Sequence, residues 1–285
     1  ERGTHKPEVS GSIPLPATIL MKIYDCIMYF DEDLMVELRL NILNKYVDKF
    51  VIVEATRDHA GKEKKLNFNI DKFNKFKSKI IYLVIDDIPE KVTKFKKNWS
   101  PNFYRENFNR NAISRALTEC SPDDLILISD ADEIPNLEIL EKIKFRKFAI
   151  FVQKEFIYKL NLLSDNKWNG SSICIKKYLK SPQWLRNKKF TRRGFLRNFF
   201  FRTQFIQDGG WHFSFIKEPK DIVTKLNSYA HSEFTKFSNI DFIKKSIENK
   251  KFFIDPNKKL KVTTIDDTFP EYIKNNKEKF SKWII

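Results

Sequence analysis

Three carboxylates close the stretch of this chain best suited to chemistry. Residues 124–135 read DLILISDADEIP, an apolar run that ends in Asp130, Asp132 and Glu133 and is closed by Pro135. Leu125, Ile126, Leu127 and Ile128 between polar flanks suit a strand buried on both faces. Carboxylates at the end of such a strand are costly to desolvate unless a cation or hydrogen-bond donors meet them. A hard divalent ion such as Mg²⁺ or Mn²⁺ prefers oxygen ligands and shares them with phosphates, so Asp130 and Asp132 together suit a metal–diphosphate site. The same residues read equally well as an acidic N-cap, because Asp132 precedes the helix-like NLEILEKI.

Other groups could serve such a site. Arg110 and Asn111 lie about 20 residues before the acidic pair on a helix-like segment, and an Arg fork there would meet a nucleotide or diphosphate. The stretch DGGWHFSF, from Asp208, offers two glycines for a tight turn or close backbone approach, Trp211 to stack on a sugar or base, and His212 as a metal ligand or diphosphate donor. Packing accounts equally well for a lone His among aromatics. His231 and Glu233 follow a helix candidate. His59 and Lys62 occupy a polar loop placed to meet a donor, and Glu54 and Asp86 stand at strand ends. The chain has no GxxxxGK[ST], GxGxxG or GxSxG, which argues against P-loop, Rossmann and nucleophile-elbow chemistry.

The elements that must carry these groups alternate. Residues 22–30, 48–54 and 80–86 are strand-like, and the acidic strand follows them. Residues 32–46, 71–79 and 103–118 have helical character. This order predicts an α/β fold with a mostly parallel central sheet flanked by helices, in which ligands bind beyond the carboxyl ends of the strands. Glu54, Asp86 and the acids from Asp130 onward all fall at such ends. From about residue 148 the runs lengthen and read as antiparallel strands, followed by a basic stretch with Arg192, Arg193, Arg197 and Arg202. Helices are expected in DIVTKLNSYA and over 239–253, and the Lys- and Asn-rich tail from Asp255 is expected to lie along the surface.

The chain has 285 residues, 53 basic and 37 acidic, a net charge of +16, which suits anionic partners. The abundance of Lys, Asn, Ile and Phe accords equally with an AT-rich genome. Cys26, Cys120 and Cys174 form neither a disulfide framework nor a metal spacing, which favours a reducing, cytoplasmic setting. No apolar stretch approaches the roughly 18 residues of a membrane span, which leaves peripheral membrane contact open. Residues 1–20 hold three of the 11 prolines and two of the seven glycines and read as a tail or linker. The change of pattern near residue 148 then divides the rest into residues 21–147 and 148–285 of one continuous domain.

In order, YDCIMYFDEDLMVELRLNIL, DKFVIVEA, the Gly61–Lys62 step, IIYLVIDD, RNAISRAL, DDLILISDADEIP and GGWHFSF resemble glycosyltransferase family 17, that of the bisecting β-1,4-mannosyl-glycoprotein N-acetylglucosaminyltransferases and their microbial relatives. The resemblance runs from about Tyr24 to Phe253. It implies a GT-A-type fold, with residues 21–147 as the nucleotide-sugar-binding half and 148–285 as the acceptor-binding half, a UDP-sugar donor, Mn²⁺ or Mg²⁺, and inverting transfer of N-acetylglucosamine to a glycan hydroxyl with a β linkage. On that pattern Asp132, with Asp130 directly or through water, would hold the ion, with His212 as a further ligand. Arg110, Asn111 and Lys62 would meet the donor phosphates, and Glu54 and Asp86 the uridine or ribose. Trp211 would wall a sugar ring. The catalytic base would be Asp208, Glu155 or Glu233, with Asp208 favoured by its place beside the GGWH turn. The rival readings are a nucleic-acid-binding protein or metal-dependent nuclease, and an inactive carbohydrate-binding module.

Overall fold

The computed structural model describes residues 21–89, 100–188, 203–228 and 232–285, with Ser232 described in its backbone alone. Residues 1–20 and the basic stretch with Arg192, Arg193, Arg197 and Arg202 lie outside the described residues, as does His231.

Four strands alternate with helical segments at the start. They are β1 (Ile23–Tyr29), β2 (Lys49–Ala55), β3 (Ile80–Ile85) and β4 (Leu125–Asp130). All three pairings among them are parallel, in the order β3-β2-β1-β4. The central three are apolar almost throughout because helices cover both faces. Helix α1 (Asp33–Leu43) lies on one face, where Leu38, Leu40 and Leu43 are buried. Helix α2 (Pro101–Ala112) starts at Ser100, whose hydroxyl accepts from the Phe103 N–H, with proline in its first turn. The helical pattern over 71–79 forms a 3-10 helix, Ile70–Lys79.

The sheet then continues without a break. Strand β7 (Leu162–Ile175) pairs antiparallel with β4, and β6 (Phe148–Ile157) antiparallel with β7. Strands β8 (Gln204–Ile206) and β9 (Gly210–Ser214) run parallel to β6, so the later half is not wholly antiparallel. A short strand β5 (Glu133–Pro135), three residues beyond β4, pairs antiparallel with β9. The result is an α/β fold with a mixed ten-stranded sheet. Helix α3 (Pro182–Asn187) follows β7, and α4 (Pro219–Ser228) and α5 (Ile240–Glu248) follow β9.

The tail departs from expectation. Strand β10 (Leu260–Val262) pairs with β7, and helix α6 (Glu271–Lys274) packs against α1, with the Tyr272 hydroxyl donating to Glu37 at 2.7 Å. Ile265, Phe269, Ile273 and Phe280 join the main core. The many lysines of this segment mask four well-spaced apolar residues, and burying those decides its position. Cys26 and Cys174 are core thiols, and removal from water pushes the Cys174 thiol up to about 12.

Candidate functional site

The turn between β4 and β5 carries the acidic residues and is braced from two sides. From α1, the buried Arg39 forks onto Asp25 of β1 at 2.6 and 2.5 Å and donates to the Glu133 carbonyl at 2.6 Å. From α3, Arg186 donates to both Glu133 carboxylate oxygens, each at 2.6 Å, and also to Asp130. Burial disfavours the Arg186 charge, but Asp130 and Glu133 outweigh it and hold its pKa above the usual range. The Trp168 indole N–H donates to Glu133 at 2.6 Å, and so does the Asp130 amide at 3.1 Å. Glu133 is fully buried, and these contacts fix the turn.

Asp130 and Asp132 both line a cavity of about 370 Å³. Asp130 accepts from Arg110 at 3.1 Å on Oδ1 and from Arg186 on Oδ2, so guanidinium groups meet both its oxygens. Arg110 is steadied in turn by Glu106 at 2.7 Å and by Gln183. Asp132 meets different partners: its Oδ1 lies 3.7 Å from His212 Nε2, and its Oδ2 lies 3.4 Å from Lys225 Nζ. Asp132 is not a helix cap, because the 3-10 helix Leu137–Lys142 is capped by Asn136.

Strand register assembles the rest. Glu133, His212 and Glu155 are direct partners across β5, β9 and β6 and therefore share one face of the sheet. His212 Nδ1 is buried without a hydrogen-bond partner among the described residues and points at Glu155 Oε1, 3.8 Å away. Trp168 stacks on the imidazole with ring centroids 4.6 Å apart. Glu155 Oε2 accepts from Lys258 at 2.8 Å. Gly210 makes this crowding feasible, since at φ +124 a Cβ would stand 2.3 Å from the Ile134 carbonyl oxygen.

Several residues singled out from the sequence lie elsewhere. Trp211 alternates to the opposite face from His212, is buried in the core, and donates to the Thr268 carbonyl at 3.0 Å; the aromatic ring that lines the cavity beside His212 is Trp168. Glu54 is fully buried and outside the cavity wall: Lys64, the Asn67 and Phe68 amides and the Tyr82 hydroxyl occupy its carboxylate. Asp86 and Lys62 are exposed and line no part of the cavity. Asn111 faces a separate groove between α2 and α3, where it accepts from the Gln183 amide at 3.0 Å. Asp208, at φ +50, occupies the exposed turn before β9 and lines no part of the cavity. Glu233 is exposed on the 3-10 helix Ser232–Phe237, next to the cavity-lining Phe234. Of the three carboxylates named as base, Glu155 alone lines the cavity.

Among the described residues no group of three or more His, Cys, Asp or Glu side chains is arranged to hold an ion. Two donors do face each other, the Asp132 carboxylate and the His212 imidazole. An oxygen and a nitrogen from the protein suit a Mn²⁺ that keeps phosphate and water as its other ligands, whereas Mg²⁺ prefers oxygen throughout. The Glu155 carboxylate behind Nδ1 is the usual support of a metal-binding imidazole. The residues present therefore fit such an ion.

Among the described residues no helix is long and apolar enough to cross a membrane. In sequence, residues 15–254 match the profile of glycosyltransferase family 17. The chain is similar to the human (Homo sapiens) beta-1,4-mannosyl-glycoprotein 4-beta-N-acetylglucosaminyltransferase, at 23% identity over 252 residues that cover 80% of this chain and 46% of the relative. The proteins of the same name from Rattus norvegicus and Mus musculus match at the same identity and coverage. The chain thus spans about half the length of the curated relatives it matches. A match over most of the chain, DADEIP and GGWHFS included, establishes that this chain belongs to glycosyltransferase family 17.

Proposed function

We propose that the chain is a metal-dependent inverting glycosyltransferase of GT-A type that moves N-acetylglucosamine from UDP-N-acetylglucosamine to a glycan hydroxyl, forming a β linkage. The observation that carries this reading is the convergence of Asp132, His212, Arg110 and Glu155 on one cavity beyond the carboxyl ends of β1 and β4.

Asp132 and His212 would hold the ion. When bound, Mn²⁺ or Mg²⁺ neutralises negative charge that develops on the departing diphosphate. Arg110 lies beside them, pre-aligned by Asp130 and Glu106, and presents a guanidinium to the phosphates. Asp130 acts here by orienting Arg110. Trp168 supplies a flat wall for a sugar ring, and Phe215, Phe234 and Phe252 form the apolar side of the cavity. Glu155 is placed to take the acceptor hydroxyl proton as that oxygen bonds the anomeric carbon and the bond to the diphosphate oxygen breaks. Lys258 donates to its Oε2 and fixes the carboxylate in place.

The deciding experiment measures UDP release from UDP-N-acetylglucosamine with and without Mn²⁺ over a panel of glycan acceptors. Release that requires Mn²⁺ and vanishes in Asp132→Ala is the expected outcome. Equal release in the variant would refute the site.

A further inference from the structure

The cavity holds its own cation against Asp132. Lys225 projects from α4, between the buried Ile222 and Leu226, and its Nζ lies 3.4 Å from Asp132 Oδ2. Its side chain is only 14% exposed and that of Asp132 13%, so both charges are largely removed from water; Glu32 and Asp31 also face the Lys225 ammonium, and His212 faces Asp132. The contact is longer than a good hydrogen bond and is mainly coulombic. Lys225 Nζ also stands over the Phe215 ring, 5.3 Å from its centroid. Asp132 therefore divides its oxygens, one toward the imidazole of His212 and one toward an ammonium.

Lys225 is placed to move. Together with Glu32, Asp132 and Phe215 it belongs both to the wall of the main cavity and to that of an adjoining chamber of about 170 Å³. Its four-carbon stem is flexible. The neighbouring Lys217 donates to both the carboxylate and the carbonyl of Asp31. A divalent ion on Asp132 would repel the Lys225 ammonium a few ångströms away and would bring a diphosphate into the same cavity.

We propose that Lys225 holds the place of the ion on Asp132 until the ion binds, and then passes to the diphosphate of a nucleoside-diphosphate donor. The inference rests on the reading of Asp132 as an ion ligand. It predicts effects of opposite sign from one substitution, because the same charge opposes the ion and assists the nucleotide.

The test uses the full chain and two titrations, Mn²⁺ alone followed by electron paramagnetic resonance, and UDP at saturating Mn²⁺ followed by calorimetry. Lys225→Met keeps the apolar stem and removes the charge. It is expected to bind Mn²⁺ roughly two- to fivefold more tightly, the scale of one partly exposed ion pair, and to bind UDP several-fold more weakly. Lys225→Arg, which keeps the charge, is expected to return both affinities toward those of the unsubstituted chain. Unchanged or weaker Mn²⁺ binding in Lys225→Met overturns the place-holding role, and unchanged UDP binding overturns the hand-over. Asp132→Asn separates this failure from that of the underlying reading: if it binds Mn²⁺ as the unsubstituted chain does, Asp132 is not the ligand and both ideas fall.

Discussion

Arg186 grips Glu133 through two hydrogen bonds of 2.6 Å, deep inside the molecule and 53 residues apart in the chain. The same guanidinium reaches Asp130, so a helix of six residues fixes the turn that presents the cavity acids. Removing one partner of such a pair strands the other charge, at a cost of about 3–5 kcal/mol. Arg186→Met is therefore expected to lower the urea midpoint sharply. The double variant Arg186→Met, Glu133→Gln should recover part of the loss, since no lone carboxylate is left. A double variant as unstable as the sum of the two singles would show that the pair acts independently.

The two aspartates differ in partners and should differ in behaviour. Asp132→Asn removes the carboxylate that faces His212 Nε2 and is expected to abolish Mn²⁺ binding. Asp130→Asn is expected to leave Mn²⁺ affinity nearly intact and to weaken UDP binding, because Arg110 loses an anchor. Calorimetry of Mn²⁺ and UDP on both variants checks this, and equal loss of Mn²⁺ in the two would make Asp130 a ligand as well.

Much of this arrangement was legible in the sequence, for a physical reason. A run such as LILIS followed by acids is too apolar to lie at the surface and too acidic at its end to be buried without partners, so the strand end announces itself. Which partners meet those acids is less legible. Arg39 and Arg186 lie in ordinary-looking helical turns, and only tertiary packing brings them to Asp25, Glu133 and Asp130. The GWHFS strand is buried on both faces, so alternation parts Trp211 and Phe213 from His212 and Ser214 without saying which pair faces the cavity; pairing with β5 and β6 decides it. Trp168 sits amid the polar DNKWNG of a long strand, and nothing local marks it as the ring that covers His212.

That reversal of tryptophans has a measurable consequence. Trp168→Phe removes a donor from the buried Glu133 carboxylate, a loss of about 1.5–3 kcal/mol, and alters the cavity wall beside His212. It should lower both stability and UDP-sugar affinity. Trp211→Phe loses its bond to the Thr268 carbonyl and some core packing, and should lower stability alone. Parallel denaturation and UDP titrations on the pair would expose the assignment as wrong if Trp211→Phe were the variant that lost affinity.

The last prediction concerns acid. His59 stands in the cavity wall after β2, where removal from water lowers its pKa from the usual 6.5; Glu106 opposes that shift and Arg110 reinforces it. The folded chain thus holds a neutral imidazole at a pH where the unfolded chain already binds a proton. Stability from this residue is complete above the unfolded pKa of about 6.5 and declines as the pH falls toward the lower folded value, because the unfolded state then carries the extra proton. His59→Gln removes this proton difference, so its stability should decline less than that of the unsubstituted chain between about pH 7 and pH 5. Urea midpoints across that range give the comparison. If the two profiles run parallel, His59 ionises alike in both states, and the cavity wall beside Arg110 is wetter than its packing implies.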